Sequence, residues 1–152
     1  MTATGLSEKI VTERVAWIRE MLSAIQRVPL DSYHTFLSDG RNVAAVESYL
    51  RRALEALMDL GRHILAKGFG VAAPEYREIS RRLHEVGVLS DEIAGRMGEL
   101  AGYRNRMVHF YHQVSDEELY DICTHHVRDV EAVVGALLAW IAAHPDRIDR
   151  SL

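Results

Sequence analysis

Four long stretches of this chain repeat apolar residues every three or four positions. That period, with no competing alternation of two, confines the chain to helices packed on helices. Val11, Val15, Ile18, Leu22 and Ile25 define one face of a first helix, predicted over about residues 7–28 and ended by Pro29. Residues 30–41 hold Asp, Ser, Gly and aromatics and read as a loop, with a short turn of helix around 33–38. Asn42 is placed to cap a second helix reaching about Lys67, with Val43, Val46, Leu50, Ala53, Leu57, Leu60 and Ile64 inward and Gly68 and Gly70 as stops. Pro74 suits the first position of a short third helix over 74–85. Ser90, with Asp91 and Glu92 behind it, opens a fourth. Ser115-Asp-Glu-Glu118 reads as a capping box in which Glu118 reaches back; it starts a last helix through Leu119, Cys123, Val130, Leu137 and Ile141, ending before Pro145. The expectation is all-α: one domain over residues 1–152, an up-and-down bundle of four to five helices with no convincing strand.

The chain is long enough to bury a core without staples, and its single Cys123 rules out an internal disulfide and fits a reducing cytoplasm. No charged-then-apolar leader opens it, and its longest apolar run, 132–143, is too short to span a bilayer. The formal net charge of −4 argues against a broad grip on nucleic acid. It leaves room for a small cationic cleft, because like charges lining a groove focus the field locally.

The chemistry concentrates in residues 102–112, Gly-Tyr-Arg-Asn-Arg-Met-Val-His-Phe-Tyr-His. Two arginines, an asparagine, two histidines and two tyrosines in eleven residues exceed what helix packing needs. Arginine forks fit phosphate oxygens, and histidine exchanges protons near neutral pH. Asn105, His109 and His112 share one helical stripe. Arg104 and His109, five apart, diverge by roughly 140° on a straight helix. To reach one phosphate they need a distorted helix, a curled arginine stem, or a second copy of the helix across a two-fold axis.

With the tyrosine, this stretch resembles the HepT-like branch of the HEPN family, small all-helical ribonuclease toxins. The family signature is Arg, four to six residues, His, any residue, Tyr; here it is Arg104, then Asn105-Arg106-Met107-Val108, then His109-Phe110-Tyr111. The second helix ending at His63-Ile64-Leu65, the Pro74 helix and the Val114-Ser115-Asp116 opening also look like this branch, so the likeness covers nearly the whole chain. It implies metal-independent RNA cleavage by a homodimer, without cofactor, with both signatures lining one cleft. Arg104 and His109 would be catalytic, and Asn105, Tyr111 and Arg106 supporting. It also implies a nucleotidyltransferase antitoxin that can attach AMP to Tyr111. The alternative reading is a helical dimer that docks a nucleotidyltransferase and serves as its substrate without cutting RNA.

Read singly, these residues say less. Arg104 and Arg106 are ordinary cations near a helix C-terminus, His109 a core or capping histidine, and Tyr103 and Tyr111 half-buried packing residues. His109 and His112, with Cys123, His125 and His126, complete no metal-binding pattern. Trp17 and Trp140 are expected to pack, and the Arg51-Arg52 and Arg81-Arg82 pairs to face solvent.

Overall fold

The computed structural model describes residues 3–109 and 114–151. Four long helices form the bundle: α1 (Glu8–Gln26), α3 (Gly40–His63), α5 (Asp91–His109) and α7 (Val127–Ala143). Three short ones, α2 (Tyr33–Leu37), α4 (Tyr76–Glu85) and α6 (Asp116–Asp121), fill the connections. α1 lies along α3, α4 along α5, and α5 along α7. Most of the apolar stripes read from the sequence lie in the core: Ile18, Ile25, Leu50, Leu57, Leu60, Val130 and Leu137 are buried, joined by Leu54 and Met97, while Val43 is only partly buried. Among the described residues no helix is long and apolar enough to cross a membrane.

The structure corrects several local expectations. Asp39, not Asn42, caps α3, its carboxylate accepting from the Arg41 amide at 2.9 Å; Asn42 sits in the first turn and donates to the Phe36 carbonyl at 3.1 Å, tying α2 to α3. Pro74 precedes the helix instead of opening it. Arg62 holds the Ala73 and Pro74 carbonyls, each at 3.0 Å, so the chain stays extended through Glu75, the N-cap of α4. Ser115 does cap α6, accepting from the Glu118 amide at 3.1 Å, but the Glu118 carboxylate turns to Arg106 instead of reaching back. The last helix is interrupted by a wide π turn, Ile122–His126. There the Thr124 hydroxyl binds the Tyr120 carbonyl at 2.8 Å, a side-chain bond that competes with the regular ladder. Trp140 packs against Phe69 and stacks on His144, whereas Trp17 falls outside the α1 stripe and is 40% exposed.

Two short strands, unforeseen from sequence, close one end. β1 (Leu6–Ser7) pairs in parallel with β2 (Ile148–Asp149). A second π turn, Ile64–Gly68, prolongs α3 beneath them. Its Lys67 carbonyl accepts from the Thr4 and Gly5 amides, and its Gly68 carbonyl accepts from Arg147. His63 holds the same corner: the Ser7 amide donates to His63 Nε2 at 3.0 Å, which requires a neutral imidazole. Burial, helped by the charges of Lys67 and Arg14, holds the His63 pKa below its ordinary 6.5.

Gly61 sets the spacing of α3, α4 and α5. A Cβ there would lie 2.7 Å from Ile79 Cγ2, 3.0 Å from Met97 Cε and 3.1 Å from Leu83 Cδ1. Gly61→Ala is expected to destabilise by about 1–2 kcal/mol in urea melts, overpacking outweighing the gain in helix propensity. Gly95→Ala, which meets nothing, is expected to stabilise by up to about 1 kcal/mol. The His63 corner gives a pH dependence. Folded His63 resists a proton that the unfolded chain accepts, so its contribution is complete above pH 6.5 and falls as the pH drops below it. Melts from pH 7.5 to 5 are expected to show a loss of up to about 1.4 kcal/mol per pH unit from this group, and His63→Gln, which keeps an acceptor, to flatten it.

Candidate functional site

A cleft of about 590 Å³ opens where the C-terminal half of α5 faces the start of α4. Arg104, Asn105 and His109 line one wall. The segment 74–77 and Arg62, from the last turn of α3, line the other. Arg104 and His109 therefore meet in one cleft within a single chain. The long arginine stem makes up the angular divergence: its guanidinium lies over the Tyr76 ring, 4.6 Å from the centroid. Its Nε faces Glu55 Oε1 at 3.4 Å and its Nη1 faces Asn105 Oδ1 at 3.4 Å. The Arg104 side chain is 18% exposed, while His109 stands in solvent at the cleft mouth.

The charges around the cleft are interleaved. Glu55 serves Arg51, at 3.3 Å, as well as Arg104. Asp59 faces Arg62 at 3.6 Å, and Glu75 binds Arg77 at 2.8 Å. Of the charged residues that line the cleft itself, Arg62, Arg77 and Arg104 outnumber Glu75, so its wall is cationic on an acidic protein. Tyr76 donates its hydroxyl to Asp59 Oδ1 at 3.4 Å; burial first, then the Asp59 charge, pushes its pKa up and keeps it a neutral donor.

Arg106 belongs to the other side of α5. It forks onto Glu118, with Nη1 to Oε2 at 3.0 Å and Nη2 to Oε1, and lies over Tyr103 at 5.5 Å. This pair joins the end of α5 to the start of α6. Tyr111 and His112 lie outside the described residues. His125 and His126 sit at the π turn against Asp121 and Asp129, away from the cleft. Among the described residues no cluster of His, Cys, Asp or Glu is arranged to hold a metal ion.

Sequence reading did not single out Glu55, Asp59, Arg62 or Tyr76. A signal existed: positions 55, 59 and 62 follow an i, i+4, i+7 stripe, an unbroken charged line on a helix otherwise read only for its apolar face.

Comparisons with known proteins bear on the family and on the fold. A family model described as ribonuclease HepT-like matches residues 18–137. The mRNA nuclease HepT of Shewanella oneidensis is 23% identical over 130 residues, covering 86% of this chain and 97% of that protein. The tRNA nuclease HepT of Aphanizomenon flos-aquae is 24% identical over 117 residues, 77% of this chain and 80% of that protein. Among solved structures, the tri-AMPylated Shewanella oneidensis HEPN toxin in complex with its MNT antitoxin superposes with a TM-score of 0.77 at 23% identity, over 86% of this chain and 97% of that one. The cytosolic protein YutE of Bacillus subtilis gives 0.76 at 15% identity, over 96% and 98%.

The Arg106–Glu118 pair is expected to fasten the corner between α5 and α6. A double-mutant cycle of Arg106→Ala and Glu118→Ala, followed by thermal melts, is expected to give a coupling of about 0.5–1.5 kcal/mol that salt weakens only modestly.

Proposed function

The chain belongs to the ribonuclease HepT-like family, and on that basis we propose that it is the toxin of a toxin–antitoxin pair, an endoribonuclease working as a homodimer in the cytoplasm. The observation that carries this reading is the convergence of Arg104, Asn105 and His109 on one cationic cleft. RNA brings its own nucleophile, so the protein has three tasks: to align the 2′-hydroxyl with the neighbouring phosphorus, to move two protons, and to stabilise the charge gathering on the phosphoryl oxygens.

The residues divide these tasks. The 2′-oxygen attacks phosphorus and the bond to the 5′-oxygen breaks, giving a 2′,3′-cyclic phosphate and a free 5′-hydroxyl. His109 takes the proton from the attacking hydroxyl, and a second imidazole, His109 of the other copy, returns one to the leaving oxygen. Arg104 binds the phosphate and its developing charge. Asn105, 3.4 Å from the Arg104 guanidinium, orients it. Guanidinium groups supply the positive charge, so the reaction needs no metal ion. Arg106, committed to Glu118, supports the site by holding the end of α5.

The named partner of the Shewanella toxin supports a second element: a nucleotidyltransferase antitoxin that silences this chain by attaching AMP to Tyr111. An adenylyl group adds bulk and negative charge, which would repel RNA.

The test is cleavage of RNA by purified protein in EDTA, with the product ends identified. We expect cyclic phosphate termini and a loss of at least about a hundredfold in His109→Ala and in Arg104→Ala, both still folded by circular dichroism. Cleavage at the wild-type rate in both variants would refute the assigned roles. Absence of cleavage combined with tight binding of the nucleotidyltransferase would favour the non-catalytic substrate reading.

A further inference from the structure

Arg104 is held by more than its own helix. Its guanidinium lies on one side of the Tyr76 ring at 4.6 Å, and Arg62 lies against the same ring at 5.0 Å. The ring is fixed in turn. Its hydroxyl donates to Asp59, Asp59 faces Arg62, and Arg62 clamps the Ala73 and Pro74 carbonyls that lead into Tyr76. The elements that carry these groups are packed to van der Waals contact at Gly61, immediately before Arg62.

We propose that Tyr76 is a positioning residue for Arg104, holding the guanidinium by its face so that its donor edge is left for a phosphate in the cleft. The chemistry favours an aromatic ring for this task. A carboxylate occupies N–H donors and competes with phosphate for them; a ring engages the π face and takes none. Glu55 already takes the Nε–H of Arg104 and Asn105 faces its Nη1, which leaves Nη2 and the second Nη1 proton for a phosphate. A second carboxylate in place of Tyr76 would saturate the fork, and an aliphatic residue would leave a long stem free to rotate. A guanidinium displaced by an ångström loses much of its value to a transition state. This inference rests on the phosphate-binding role given to Arg104 above, whereas the stacking itself does not.

The test uses Tyr76→Leu and Tyr76→Phe in the full chain, with two readouts. The first is the Arg104 Nε–Hε resonance of the RNA-free protein, assigned by its loss in Arg104→Lys. A guanidinium over a ring is shifted upfield, so the shift is expected in wild type, kept in Tyr76→Phe and lost in Tyr76→Leu. The second is RNA cleavage under single-turnover conditions. Tyr76→Leu is expected to slow the saturated rate roughly ten- to a hundredfold with a smaller change in the RNA concentration at half-saturation, and Tyr76→Phe to stay within roughly fivefold of wild type. If Tyr76→Leu does not fold, Tyr76→Met is read by the same criteria. An Arg104 resonance unchanged in the aliphatic variant, or wild-type cleavage by it, overturns the proposal. If the wild-type protein cuts no RNA, the nuclease reading fails by itself, and the resonance alone decides whether Tyr76 positions Arg104.

Discussion

The cleft depends on one close approach. Gly61 lets α3 come so near α4 and α5 that Ile79, Leu83 and Met97 fill the space a methyl group would need. Tyr76 lies one turn before Ile79, and Arg104 two turns after Met97, so the seam that seats these core residues also sets the span between ring and guanidinium. Arg62 follows Gly61 directly and fastens the loop entering α4. A bundle tolerates many volume-conserving changes in its core. It tolerates few at a junction where side chains of two helices press on the bare backbone of a third, and here the polar wall is built on that junction.

Much of the architecture was legible because apolar periodicity is a direct projection of the core onto the sequence. The stripes on α1, α3 and α7 supply most of the core, and Ser90 and Ser115 stand at the helix starts their side chains suggested. What failed was local competition. Asp39 outbid Asn42 because its carboxylate could take the Arg41 amide, and Pro74 lost its place to an extended stretch that Arg62 holds from another helix. Nothing within a few residues of Pro74 encodes that contact. The strand pair escaped for the same reason: each member is two residues long, and its partner lies at the opposite end of the chain.

The site was legible in part. Arg104, Asn105 and His109 announced themselves by density of function in a short span, and they do share a cleft. Which way each side chain turns was not readable. Arg104 and Arg106 differ by two positions, yet one enters the cleft against Glu55 and the other forks onto Glu118 behind it. Long flexible stems decide their direction by the nearest carboxylate, and the nearest carboxylate is a tertiary fact. The same holds for the charge balance: a net charge of −4 conceals a cleft wall where arginines outnumber acids.

Cys123, the chain's lone cysteine, is buried within the wide turn, where burial pushes its thiol up to about 12. At neutral pH almost none of it is thiolate, the form that oxidants and alkylating reagents attack. Chemical labelling of this thiol is therefore slow in the folded bundle and quickens when the last helix loosens against its neighbours. The rate of that labelling is a built-in clock for how often the bundle breathes at the turn dividing α6 from α7.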